Sequence, residues 1–131
     1  MGLDMYLTGV KYLPHNWQNP ERDKKVDGFR LEEIRVQLGE WRKHPDLHGY
    51  IVKNFADGKD NCQEMDLVSE QLEQILHVVE MDNLPHTEGF FFGASYPEDK
   101  QPTINILKDA IKWINKPEAN VWKSVVYRAS W

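Results

Sequence analysis

Hydrophobic residues follow two different spacings along this chain, and the order of these spacings limits the possible folds more than any other feature. Leu3, Met5 and Leu7 are separated by polar residues, and this period of two predicts a β-strand over residues 3–12. A similar alternation returns at residues 34–41. Later segments repeat their apolar residues every three or four positions, which is the period of a helix. A chain that contains both periods predicts helices packed on a sheet.

Three segments have the helical spacing. Pro45 suits the first position of a helix, because its missing N–H would be unpaired there in any case. Ser69 and Thr103 are predicted to cap the second and third helices, since their hydroxyls can accept hydrogen bonds from the free N–H groups of a first turn. Each helix has an apolar stripe that predicts one buried face. The stripes are Leu47, Ile51 and Phe55; Leu72, Ile75, Leu76 and Val79; and Leu107, Ala110, Ile111 and Ile114.

Three further segments are predicted strands. Residues 64–68 are predicted to form a short edge strand, and residues 89–93 a central strand, because three consecutive phenylalanines put aromatic side chains on both faces. Residues 121–131 are rich in β-branched and aromatic residues and predict the last strand. Residues 14–25 are polar and indicate a loop. The prediction is a single α+β domain over residues 1–131, a mixed β-sheet of about four to five strands packed by about three helices.

Charge is distributed unevenly along the chain. Residues 60–99 contain ten acidic side chains and no Lys or Arg, although the whole chain has a net charge of only −5. Such a segment creates a field that attracts a basic partner and repels nucleic acid. An equal alternative is that cations of the same molecule, such as Arg42 and Lys43, neutralise these acids and leave a weak external field. The predicted partner-binding face consists of Asp60, Glu64, Asp66, Glu70, Glu73 and Glu80.

The sequence contains only weak signals for catalysis. It has no Gly-rich phosphate-binding motif and no Gly-x-Ser-x-Gly nucleophile elbow, so no catalytic residue is predicted. His44 and His48 have the spacing of a zinc-binding pair, but Pro45 replaces the glutamate of a metalloprotease motif, and neither a metal site nor a cofactor is predicted. The acidic neighbours of Cys62 disfavour the thiolate that a nucleophilic cysteine needs. A non-enzymatic protein is therefore favoured.

The alternative is a small enzyme or ligand-binding module. Its pocket would be built from Trp41, Arg42, His48, Cys62 and His86 around the phenylalanine strand. Arg42 would hold an anion, and His48 or His86 would move protons. This arrangement requires that folding bring the five side chains within hydrogen-bonding reach of one another.

Five short motifs spread over the chain form a specific combination. They are Met1-Gly2-Leu3-Asp4-Met5-Tyr6-Leu7, Trp41-Arg42-Lys43 before a helix with His48, Asp60-x-Cys62, Leu84-Pro85 leading to Gly89-Phe90-Phe91-Phe92-Gly93, and Tyr127-x-x-Ser130-Trp131. Together they resemble a family of short, mostly uncharacterised bacteriophage and prophage proteins. The resemblance covers almost the whole chain except residues 13–30. It implies a bacterial cytoplasm during infection, as the lone Cys62 also suggests, and it supplies no activity.

We therefore expect a cytoplasmic phage accessory protein whose acidic face binds a host or defence protein with a basic surface and inhibits it. No direct nucleic-acid partner is expected, because the basic residues are dispersed along the sequence. No membrane partner is expected either, because no apolar run approaches the ~18 residues of a spanning helix. A homodimer in which the final strand pairs across a two-fold axis is a further alternative.

Overall fold

A four-stranded sheet is the centre of the structure. The computed structural model describes residues 2–87 and 94–131. The predicted α+β class and its three α-helices are confirmed there. In chain order the elements are β1 (Asp4–Tyr12), β2 (Lys25–Val26), β3 (Phe29–Arg30), β4 (Glu33–Arg42), α1 (Pro45–Phe55), β5 (Met65–Leu67), α2 (Ser69–Glu80), α3 (Lys100–Asn115) and β6 (Trp122–Ser130).

The strand order of the main sheet is β4-β1-β6-β5. All its described pairings are antiparallel, whereas the sequence predicted a mixed sheet. β1 pairs along its whole length with both neighbours, so Asp4 lies opposite Arg42 on one side and Ser130 on the other. β6 comes last in the chain but lies inside the sheet. On the side away from β1, β5 pairs with residues 125–127 of β6, and the alternative of a homodimer through this strand stays a prediction.

One hydrophobic cluster lies between the sheet and the helices. Cross-strand neighbours Met5, Trp41 and Ala129 belong to it, and they define the helix face of the sheet. Alternate side chains, such as the neighbours Tyr6 and Arg128, lie on the opposite face, here called the open face. Full burial of one large apolar side chain contributes roughly 1.5–3 kcal/mol. The helices contribute Leu47, Tyr50, Ile51, Val52, Leu72, Ile75, Val79, Ile104, Leu107 and Ala110 to this cluster.

Two glycines of the sheet allow α3 to approach closely. A Cβ atom on Gly9 would lie 2.7 Å from the Trp113 ring, and one on Gly39 would overlap Ile106. The C-terminal end of α3 is fixed by Lys123 on β6, whose Nζ donates to the Trp113 carbonyl at 3.0 Å. An ammonium group satisfies carbonyls that have no partner within the helix, and it interacts favourably with the negative end of the helix dipole. The sheet thus determines where α3 lies.

The start of α2 differs by one residue from the prediction. Ser69 is the first helical residue, and Val68 is the cap. The Val68 N–H donates to Gln71 Oε1 at 2.9 Å, so the glutamine side chain closes the first turn. The hairpin formed by β2 and β3 was also not predicted, because strands of two residues carry no detectable period.

Thr103 lies inside α3 and does not cap it. A short 3₁₀ turn at Pro97–Asp99 precedes the helix, so the helix begins at Lys100. The Thr103 hydroxyl instead donates to the Asp99 carbonyl at 2.7 Å, which is a bond to the preceding turn. The strand predicted at residues 89–93 lies outside the described residues.

Candidate functional site

His48 joins three parts of the chain inside the core. It lies on α1 with only 1% of its surface exposed. Its Nε2 lies 3.0 Å from both carboxylate oxygens of Asp60, and its Nδ1 lies 2.6 Å from the Tyr127 hydroxyl. The rings of His48 and Trp131 have centroids 5.7 Å apart. The imidazole therefore links α1 to the loop before β5 and to the last strand.

The Tyr127 phenol of this group is buried beside a carboxylate. Burial, together with the charge of Asp60, raises the pKa of the Tyr127 phenol above its usual value of about 10. The phenol therefore keeps its proton at neutral pH, and its hydroxyl is within hydrogen-bonding distance of His48 Nδ1. A substrate has no access to the imidazole or the phenol, because both are buried. This arrangement can hold α1 against β6.

A second histidine, His44, borders a hollow of about 270 Å³ where α1 and α3 begin and α2 ends. Its Nδ1 lies 2.7 Å from Ser95 Oγ, which also accepts the Asp46 N–H at 3.1 Å. Its Nε2 is buried and has no hydrogen-bond partner among residues 2–87 and 94–131. Lys100 and Asp82, which also line the hollow, form an ion pair at 3.0 Å.

The stability of the protein should fall as the pH drops below about 6.5, in part because of His44. Burial lowers the pKa of His44 below 6.5, although the charges of Asp99 and Asp46 act in the opposite direction. The unfolded chain therefore takes up this proton at a higher pH than the folded chain, and acid favours unfolding. His44→Gln should make the free energy of unfolding less dependent on pH between about pH 7 and pH 5, as urea titrations can measure. Parallel profiles for the two proteins would contradict this explanation.

Two residues of the predicted pocket lie on different faces of the sheet. Trp41 lies on the helix face, where its Nε1 donates to Thr103 Oγ1 at 2.9 Å. Arg42 follows it on the open face and donates to Asp4 Oδ1 at 3.0 Å. Since His48 bonds to Tyr127 on the helix face, Arg42 and His48 are on opposite sides of the sheet.

The other two residues of the predicted pocket lie in loops. Cys62 is half-buried and has a positive φ of 61°. The His86 side chain is 69% exposed, and its Nδ1 lies 3.5 Å from Asp46 Oδ1. The sequence interpretation did not connect His48 with Tyr127, because 79 residues separate them and no local pattern relates the two.

The acids of the predicted partner-binding face are also divided. Asp60 is bonded to His48 in the core contact described above. Glu64 lies 3.6 Å from Arg35, so its charge is partly compensated. Asp66 lies on the open face, because its neighbours on β5 are buried on the helix face. These three acids therefore do not form one surface with the acids of α2.

Glu70, Glu73 and Glu80, here called the α2 glutamates, remain exposed. They lie along the outer side of α2, whose other side packs into the core through Leu72 and Ile75. No ion pair within 4 Å joins them to any part of the chain that the structure describes. Within the described part of the acidic segment, α2 therefore presents three exposed carboxylates without an ion-pair partner, while Asp66 and Glu98 are exposed elsewhere.

Comparisons with known proteins give no family for this chain. No protein-family model, curated protein or solved structure matches it. Outside residues 1 and 88–93, no three His, Cys, Asp or Glu side chains are arranged to hold a metal ion. No helix in the same part of the chain has the length and apolar character needed to cross a membrane. Function is therefore inferred from the contacts and surfaces described above.

Proposed function

We propose that this chain is a non-enzymatic binding protein whose α2 glutamates contact a basic surface on another protein. The observation that carries the proposal is that these three carboxylates are exposed along one helix and have no cation beside them among the described residues. A charged surface of this kind steers an oppositely charged partner and accelerates association. Because the sequence resembles phage proteins, the proposed partner is a protein of the bacterial host or of its defence. The proposed outcome of binding is inhibition of that protein.

The contacts of His48 favour binding over catalysis. A general acid or base must reach the proton that it transfers, and the most buried imidazole of the chain is enclosed by Asp60 and Tyr127. Arg42, the proposed anion holder of the alternative pocket, lies across the sheet from it. The enzymatic alternative would therefore need a rearrangement of the core, whereas the α2 glutamates are accessible without one.

Reversal of two α2 glutamates, Glu70→Lys with Glu73→Lys, should weaken capture of the partner by about tenfold or more. The charge of the surface changes sign, so the field that attracts a basic protein becomes repulsive. The measurement is affinity capture from infected or lysogenic bacterial cells, with quantitative mass spectrometry of the bound proteins. Wild-type capture should also decline steeply with added salt, since the screening length falls from about 8 Å at 0.15 M to about 3 Å at 1 M.

A matched control carries the same change in net charge on other surfaces. Glu32→Lys with Asp109→Lys also moves the net charge from −5 to −1, but it alters residues of the loop before β4 and of α3. The control should retain the partner at the wild-type level. Equal capture by the Glu70/Glu73 variant and the wild type would show that the α2 glutamates are not the binding surface.

A further inference from the structure

The loop between β1 and β2 is fixed by its own hydrogen bonds and displays an exposed tryptophan. The Asp23 side chain is 3% exposed, bonds to His15 Nδ1 and accepts the Asn16 N–H at 2.7 Å. Asn16 Oδ1 in turn accepts the Asn19 N–H at 2.9 Å. The His15 ring contacts Trp17 in a T-shaped arrangement, yet Trp17 is 83% exposed. Exposure of so much aromatic surface is unfavourable in water, so an ordered loop that maintains it indicates a contact site.

Trp17 borders a hollow of about 680 Å³ between this loop and the turn before β6. A second hollow of about 440 Å³ adjoins it, since both are lined by residues 13–14 and 120–121. Tyr12 and Trp122 line the second hollow, and Trp122 is 75% exposed. These volumes are in the range of sites for small molecules and cofactors. The two hollows are therefore adjacent, and together they are called the aromatic-lined depression at this end of the sheet.

The charges around the larger hollow favour an anionic ligand. Arg22 and Lys24 line it and are exposed, and neither is within ion-pair distance of an acid in the described chain. Asp23 is the one carboxylate of the lining, and it is occupied by His15 and by the Asn16 N–H. The described lining therefore offers two available cations and no available carboxylate.

We infer that this depression binds a nucleotide unit, with the base stacked on Trp17 and the phosphate at Arg22 and Lys24. An exposed indole offers a flat face to a nucleobase, and arginine binds phosphate oxygens through two parallel N–H groups. The sequence interpretation excluded direct nucleic-acid contact because the cations are dispersed, but folding brings these two beside an exposed ring. The α2 glutamates take no part in the depression, so this inference is independent of the proposed partner.

Isothermal titration of the full chain with ATP tests the inference. Saturable binding is expected, and Trp17→Ala should weaken it at least about fivefold, which is the low end of the loss of one base–aromatic stack. Trp17→Phe keeps a flat ring and should restore much of the affinity. Arg22→Ala with Lys24→Ala should weaken binding of ATP more than binding of adenosine. Phe29→Ala and Lys53→Ala are controls, because both side chains are exposed and neither lines the hollows.

Further titrations distinguish a free nucleotide from single-stranded nucleic acid as the ligand. They also include results that would contradict the inference. A ten-nucleotide thymidine strand that binds more tightly than thymidine monophosphate would identify single-stranded nucleic acid as the source, and equal affinities would identify the free nucleotide. Absence of saturable ATP binding up to ~10 mM would overturn the inference. It would also be overturned if tripolyphosphate bound as tightly as ATP, or if Trp17→Ala bound ATP as well as the wild type while its amide NMR spectrum showed an intact fold.

Discussion

His48→Ala is expected to lower the free energy of unfolding by about 2–5 kcal/mol, because it combines the loss of a buried hydrogen-bond partner with a cavity. The change removes a hydrogen-bond partner from the buried Tyr127 hydroxyl. It also removes a partner from the Asp60 carboxylate. A buried polar group without a partner costs about 1–3 kcal/mol, and the space left by the ring adds a cavity term. Urea denaturation followed by circular dichroism measures the effect.

Two companion variants make this prediction specific. Tyr127→Phe removes one hydroxyl and leaves the imidazole bonded to Asp60, so it should cost less than His48→Ala, about 1–2 kcal/mol. His77→Ala removes an exposed imidazole from α2 and should cost about 0.5 kcal/mol or less. If His48→Ala were no more destabilising than His77→Ala, the contact with Asp60 and Tyr127 would not hold α1 to β6.

Gly9→Ala is expected to cost about 1–3 kcal/mol, although alanine usually favours the folded state over glycine by narrowing the unfolded ensemble. The added methyl group would lie 2.7–2.9 Å from three carbon atoms of the Trp113 ring. An indole ring is rigid, so the Trp113 side chain must rotate out of its packing position or α3 must move outward from the sheet. Thermal and urea unfolding of the variant provide the measurement.

The same substitution in a Trp113→Leu background provides the control. The smaller side chain leaves room for the methyl group, so Gly9→Ala should cost at least about 1 kcal/mol less there than in the wild type, a coupling expected of residues in contact. If Gly9→Ala cost the same in both backgrounds, the close approach of Trp113 would not be the cause of the destabilisation.

Local patterns in the sequence predict the helices and long strands but not the contacts between them. The stripe that contains Leu72, Ile75 and Val79 is buried on α2, because a helix turns the same face to the core every three or four residues. The small error at Ser69 arises because the Gln71 side chain, rather than a hydroxyl, satisfies the first turn. Such a choice among local hydrogen bonds is not visible in the period of hydrophobic residues.

The acidic face could not be predicted from charge counted along the chain. Asp66 and Glu70 are only four residues apart, but β5 directs Asp66 to the open face while α2 packs on the helix face. Two charges that are close in sequence therefore lie on different surfaces when one is on a strand and the other is on a helix packed against the opposite face of the sheet. The hydrogen bond between His48 and Tyr127 could not be predicted from the sequence either, because it depends on the position of β6 between β1 and β5 in the sheet.

The position of β6 inside the sheet has a consequence for synthesis on the ribosome. β1 is made early, but its partner β6 is made late, since even the closest pair, Tyr12 and Trp122, is 110 residues apart. At translation rates of 5–20 residues per second, this interval is roughly 5–20 s. Throughout it, the emerging polypeptide has a row of unpaired N–H and C=O groups on β1, which is a template for wrong pairing. Completion of the main sheet therefore waits for the nine residues of β6 to leave the ribosome.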